Sequence, residues 1–183
     1  MTVRGWFLPR ALRSIVAEER VHTLSGVPVS MPVLAPDQLA TIGEHLAGAR
    51  DRILTERSVD SIVAVLDALA EAWLDDDTPE RQRALEVLPR ITGTSAAMIR
   101  ESIDLEQASS RADHMERALR SEFGNPAVLD DFVDNPLLGG AGQTMAVGPT
   151  LTGAVFSSNI PALPHLTAMR SLLVKSAFWG RTS

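Results

Sequence analysis

The stretch Leu151-Thr-Gly-Ala-Val-Phe-Ser-Ser-Asn159-Ile-Pro-Ala-Leu-Pro-His165-Leu-Thr-Ala-Met-Arg-Ser-Leu-Leu-Val-Lys175-Ser-Ala177 carries two short apolar runs, each ending at a polar residue. Ala154-Val155-Phe156 is β-prone and lies between Gly153 and the polar Ser157-Ser158-Asn159, which is the pattern of a buried strand running into a turn. Pro161 and Pro164 keep Ile160 and Leu163 out of the α region and delay the next helix to about His165. Leu166, Met169, Leu172 and Leu173 then recur at helical spacing, after which Leu172-Leu173-Val174 reads as a second buried strand ending at Lys175. Strand, helix, strand in this order is a parallel βαβ unit. In such sheets ligands lie beyond the carboxyl ends of the strands, so Asn159 and Lys175 are expected to face one crevice.

A carboxamide N–H at such an edge can donate to an oxygen that becomes negative during acyl transfer. A lysine there can hold ribose hydroxyls or a phosphate. Two plainer readings stand beside these. Asn159 can be a turn residue bonding its own backbone, and Lys175 a solvated strand end.

Composition sets the outer limits. With 183 residues, 45% of them hydrophobic, the chain is long enough for one globular core or one domain plus a fragment. A net charge of −6 argues against broad nucleic-acid binding, which needs clustered Lys and Arg. No apolar stretch approaches a membrane span, and Trp6-Phe7-Leu8 between Arg4 and Arg10 is too short for the core of a signal peptide. A soluble cytoplasmic protein is expected. The cysteine count is zero, which removes disulfides, thiolate metal sites and thiol nucleophiles together. His22, His45, His114 and His165 are scattered without metal-ligand spacing, and no metal is expected. Asp75-Asp76-Asp77 lacks the spaced ligands and glycine of a calcium loop and reads as a solvated turn. Leu138-Gly-Gly-Ala-Gly-Gln-Thr144 lacks the lysine of a phosphate loop and reads as a flexible linker.

The rest divides into an extended amino-terminal segment over 1–35, with Val27–Leu34 extended around two prolines, and a helical region over 36–132. One helix opens at Pro36-Asp37 and runs to about Glu56. Ser58 can cap a second, whose Ile62, Val65, Leu66, Leu69 and Trp73 form one apolar stripe expected to face the core. A third starts at Thr78-Pro79-Glu80 with Thr78 as cap and ends at Gly93. Thr94 is expected to cap a fourth, and a fifth covers about Arg111 to Glu122 before Gly124-Asn125-Pro126. Residues 133–183 form the βαβ unit.

Several segments together carry a resemblance. Ala72-Trp-Leu-Asp-Asp-Asp-Thr-Pro-Glu-Arg-Gln-Arg-Ala-Leu-Glu-Val-Leu-Pro-Arg-Ile-Thr-Gly93, Met98-Ile99-Arg100-Glu101, Phe123-Gly124-Asn125-Pro126, Asn159-Ile-Pro161 and Leu172-Leu-Val-Lys-Ser176 look like the LuxC-type acyl-CoA reductases. These fatty-acid reductases are best known from bacterial luminescence and are a branch of the aldehyde dehydrogenase superfamily. The similarity runs from about Val27 to the last residue and covers the amino-terminal portion of such an enzyme. It implies an α/β fold in which a helical region leads into the start of an aldehyde-dehydrogenase-like, Rossmann-type cofactor-binding unit, truncated. It also implies NADPH-dependent reduction of a fatty acyl-CoA or acyl-protein thioester to a fatty aldehyde, through a cysteine acyl-enzyme. By resemblance Asn159 supplies the oxyanion contact, Lys175 holds the cofactor ribose, and Ser176 is its neighbour in the same pocket. The nucleophilic cysteine is absent from this chain, which alone is expected to be inactive. A homo-oligomer is expected at full length, with an acyl-transfer protein as partner. Two other readings stay open, a non-catalytic helical module that docks such a partner and an unrelated helical scaffold.

A parallel sheet of two or three strands with one crossover cannot cover both its faces. Exposed apolar strand surface is therefore expected, with marginal solubility of the last forty or so residues.

Overall fold

The structure is a computed structural model, and its description covers residues 2–134, 142–156 and 163–182. Near the amino terminus, β1 (Val3–Arg4), β2 (Glu18–Leu24) and β3 (Val27–Val33) form a sheet in the order β1-β3-β2. The extended segment expected around Val27 is β3. Its antiparallel pairing with β2 is closed by Ser25 and Gly26, with φ of 49° and 80°, and a two-residue hairpin turn of this kind needs positive φ at both positions. Although β3 is the central strand, it contains Pro28 and Pro32. β1 reaches only Val29 and Ser30, between the two prolines, so no ladder bond to β1 is asked of either. Val27 and Val29 are buried together with Val87, whereas every residue of β2 is exposed.

Five helices follow: α1 (Pro36–Ala49), α2 (Val59–Leu74), α3 (Pro79–Thr92), α4 (Ala96–Ala108) and α5 (Ala112–Phe123). Their starts use the chemistry that the sequence announces, with two shifts. Ser58 Oγ accepts from Ser61 N at 3.2 Å, as expected of an N-cap. For α4 the cap is Ser95, whose Oγ accepts from Met98 N, and not Thr94. Thr78 makes no cap bond either, because its Oγ1 donates instead to Ala72 O at 2.5 Å. Gly93 and Gly124, with φ of 74° and 71°, stop α3 and α5.

The buried stripe of α2 differs from the expected one. Val59, Ile62, Val63, Leu66 and Ala70 are buried, while Val65 and Leu69 are 60% and 46% exposed. Both sets obey helical spacing and share Ile62 and Leu66. A reading by side-chain size favours the larger residues and passes over Ala70, the position at which a neighbouring helix can come closest. Val59, Ile62, Val63 and Leu66 form one core with Met115 and Leu119 of α5 and with Val128 and Leu129 of the following turn.

At the other end of α2, Arg81 is 2% exposed. Its guanidinium donates to Asp76 Oδ1 at 2.9 Å, to Trp73 O at 2.9 Å and, at 2.7 Å, pairs with Asp104. The Asp75-Asp76-Asp77 turn is thereby tied to α3 and α4. Hydrogen bonds from Arg81 and Arg100 hold the Asp76 carboxyl below its usual pKa.

β4 (Val133–Asp134) pairs antiparallel with β5 (Gln143–Thr144). Residues 135–141, with most of the glycine-rich run, lie outside the described residues. The chain then forms β6 (Leu151–Phe156), α6 (Leu163–Leu173) and β7 (Ala177–Thr182). β6 and β7 are parallel, in register from Leu151↔Ala177 to Phe156↔Thr182. The expected strand–helix–strand order is present, but its second strand starts later than expected. Leu172 and Leu173 stay helical because Met169 and Leu173 are buried in the core that α2 and α5 build. The strand is formed by Ala177-Phe178-Trp179, whose aromatic residues suit a half-buried pleated surface. α1 packs against both strands, and the Trp179 ring lies close to Gly43. The described fold is mostly helical with three small sheets, a mixed α and β architecture.

Candidate functional site

Lys175 stands at the amino-terminal edge of the β6/β7 sheet, two residues before β7 begins. Placement at the carboxyl end of a strand, beside the exit of β6, is thereby corrected. Lys175 and Ser176 turn the chain out of α6, their amides donating to Leu172 O and Ser171 O, both at 2.9 Å. The turn gives Lys175 a φ of 56°, an uncommon conformation for a residue with a long side chain.

Several contacts hold Lys175 in place. Its Nζ pairs with Asp130 Oδ1 at 2.7 Å, its carbonyl accepts from Arg50 Nε at 2.9 Å, and only 7% of the residue is exposed. Asp130 in turn accepts from Val59 N at 2.9 and 3.1 Å, so the same carboxylate faces the positive end of α2. Arg50 also donates to Gly148 O at 3.3 Å. Gly148 has no freedom to carry a side chain, since a Cβ there would lie 1.9 Å from Val174 O. Ser176 is fully buried, donates from Oγ to Ala177 O at 3.0 Å and shares a 2.8 Å hydrogen bond with Thr152 Oγ1. Lys175 and Ser176 thus meet polar groups of the chain itself.

The carboxyl edge is differently built. β6 leaves the sheet at Phe156 and β7 at Thr182. Asn159 follows in the segment 157–162, outside the described residues. Arg181 lies in register with Val155, is exposed, and has no ion pair or hydrogen bond among the described residues. Val155 beside it is 72% exposed, which is the bare strand surface that a two-stranded parallel sheet is expected to leave. Alternation along the strands puts Val155, Trp179 and Arg181 on the face against which α1 lies. On the other face, Gly180 leaves room for the Phe156 ring, whose centroid is 6.0 Å from that of Phe178. The length of β7, roughly 16 Å at 3.3 Å per residue, separates Lys175 from this edge. Sequence reading missed Arg181. The signal was the aromatic pair Phe178-Trp179, a stronger strand former than Leu172-Leu173-Val174, followed at once by a cation.

The first turn of α6, which follows the Asn159 segment, is tied to the end of α4. His165 Nε2 is 3.0 Å from Ser110 Oγ, and Ser110 is fully buried and donates its hydroxyl proton to Glu106 O at 2.9 Å. The shared bond is therefore completed by the Nε2–H of His165. Burial lowers the pKa of this imidazole, which favours the neutral form. Among the described residues, no cluster of His, Asp and Glu is placed to hold a metal ion, and no helix is long and apolar enough to cross a membrane.

A parallel strand–helix–strand unit that shares its core with a helical layer, and whose carboxyl edge carries a cation unpaired among the described residues, is a mixed α/β build. The family model described as acyl-CoA reductase (LuxC) matches residues 54–183, and the chain belongs to that family. The match begins at the end of the turn after α1 and spans α2 to β7. No curated protein matches the chain.

Proposed function

We propose that this chain is the amino-terminal part of an NADPH-dependent reductase that converts a fatty acyl thioester to a fatty aldehyde through a cysteine acyl-enzyme. The observation that carries this reading is the family match over residues 54–183. The chain contains no cysteine, so in this reading the thiolate is not supplied by these 183 residues and the chain alone is inactive. Asn159 supplies a carboxamide N–H to the oxygen that becomes negative when the thiolate attacks. The enzyme acts in the cytoplasm as a homo-oligomer, on fatty acyl-CoA or an acyl-protein thioester, with an acyl-transfer protein as partner.

NADPH, when bound, supplies the hydride. For the cation that holds it, resemblance points to Lys175, with Ser176 beside it, whereas position points to Arg181. The Arg181 guanidinium at the carboxyl edge, unpaired among the described residues, suits a phosphate or ribose, since its planar fork can make paired charge-assisted hydrogen bonds. The roles divide accordingly. Arg181 contacts the cofactor, and Lys175 and Ser176 fix the start of β7, the strand that presents it.

Titration of the chain with NADPH, followed by nicotinamide fluorescence, tests this. Saturable binding is expected, weakened about tenfold or more by Arg181→Ala, the equivalent of one or two charge-assisted hydrogen bonds. Lys175→Met that remains folded by circular dichroism should bind within about threefold of the parent. Loss of binding in folded Lys175→Met but not in Arg181→Ala would return the cofactor role to Lys175.

A further inference from the structure

Between α2, α3, α4 and the first turn of α6 lies a cavity of about 220 Å³. Its walls are mainly apolar, with Trp73 from α2, Leu88 from α3 and Ile103 from α4. Among the described lining residues the titratable groups are Glu106 of α4 and His165 of α6, with none from α2 or α3. Gln107 of α4 also reaches the cavity and is only 5% exposed. The Oε1 atoms of Glu106 and Gln107 are both buried and, among the described residues, accept no hydrogen bond. Buried acceptors without donors are rare, and two adjacent ones lining a single cavity mark it as incomplete. His165 does not complete it, because burial favours the neutral ring and its Nε2–H is given to Ser110.

The size and chemistry of the cavity limit what can fill it. Its volume equals that of about seven waters and falls below the roughly 300 Å³ at which drug-sized pockets begin. The occupant is therefore a short hydrocarbon with one polar head. Among the described lining residues, that head meets two unsatisfied oxygens and no Lys or Arg. The Ser102 hydroxyl and the Gln107 amide N–H can serve an alcohol, but only a primary ammonium brings three donors, no acceptor and a charge opposite to that of ionised Glu106.

We propose that this cavity is a binding site for a small alkylammonium ion, whose N–H groups meet the oxygens of Glu106 and Gln107 and whose hydrocarbon lies against Trp73, Leu88 and Ile103. The site is independent of the reductase reading and of the edges of the β6/β7 sheet. Burial raises the Glu106 pKa from 4.5 to about 7, so the anion that matches the ligand is formed as pH rises through neutrality.

Calorimetric titration of the full chain with hexylammonium, which stays protonated from pH 5.5 to 8, tests the site. Saturable binding is expected at pH 8, about tenfold weaker at pH 5.5 and about tenfold weaker in Glu106→Gln, as befits one ionic hydrogen bond. Hexan-1-ol should bind at least about tenfold more weakly than hexylammonium. Glu106→Gln removes a half-buried charge and threatens folding little. Ile103→Trp, which fills the cavity, should abolish binding. Absence of saturable binding means that the cavity holds only water and overturns the proposal. Equal affinity for the alcohol, or unchanged affinity in Glu106→Gln, overturns it equally.

Discussion

The two edges of the β6/β7 sheet each carry one cation, and they use it in opposite ways. At the amino edge Lys175 is buried, paired with Asp130 and held in a left-handed turn by Arg50. At the carboxyl edge Arg181 is exposed and unpaired among the described residues. A ligand can recruit a free cation by displacing water alone. To recruit Lys175 it would have to break an ion pair that also covers the start of α2. A cation following an apolar run in sequence can therefore be cement or a ligand contact, and burial with an internal partner is what separates the two.

The largest test of this contrast is Lys175→Met. Removing one partner of a buried pair leaves the other charge without compensation, and a loss of about 3 kcal/mol is expected in urea unfolding. A loss under about 1 kcal/mol would mean that Lys175 is not structural cement, and the contrast between the edges would collapse. Next comes Gly148→Ala. Its Cβ would meet Val174 O, a backbone atom that cannot swing aside, so the turn before β7 must shift at a cost of about 2 kcal/mol.

Much of the fold is legible in the sequence where local chemistry decides. Pro36, Ser58, Pro79, Gly93 and Gly124 mark helix ends because caps and left-handed stops act within a few residues. Tertiary packing decides the rest. Leu172-Leu173 suits a strand or a helix equally by composition, and the core around Met169 and Leu173 settles it for the helix. The same holds for α2, where two stripes share Ile62 and Leu66, and the packing of α4, α5 and α6 on α2 selects the one containing Ala70 over the one containing Val65. At the candidate site, the sequence shows a polar turn after the first strand and a cation after a second. It could not show which of Lys175 and Arg181 already has a partner, because Asp130 lies 45 residues away from Lys175.

Glu106 is a third case, only half-buried but with one carboxylate oxygen enclosed and, among the described residues, no counterion. Its folded pKa is raised, so the ionised form is disfavoured in the fold. The group costs nothing below about pH 4.5, and its penalty grows as pH rises toward 7. With solvent screening allowed for, about 1 kcal/mol is at stake. Between pH 5 and pH 8 the melting temperature should therefore fall by about 2–4 °C more in the parent than in Glu106→Gln. Equal pH profiles would show that the carboxyl finds a donor or solvent in solution.

The smallest effect on stability is expected from Arg181→Ala. An exposed side chain without an internal partner contributes within about 0.5 kcal/mol, so denaturant midpoints should coincide with those of the parent. This near-zero result is informative because it is asked of the same sheet in which Lys175→Met costs several times more. A destabilisation above about 1 kcal/mol would show that Arg181 has an internal partner and is cement in its turn. An unchanged midpoint together with weakened NADPH binding would show the reverse. The carboxyl edge would then hold its cation in reserve for a ligand, and the amino edge would supply the rigidity that keeps β7 in place to present it.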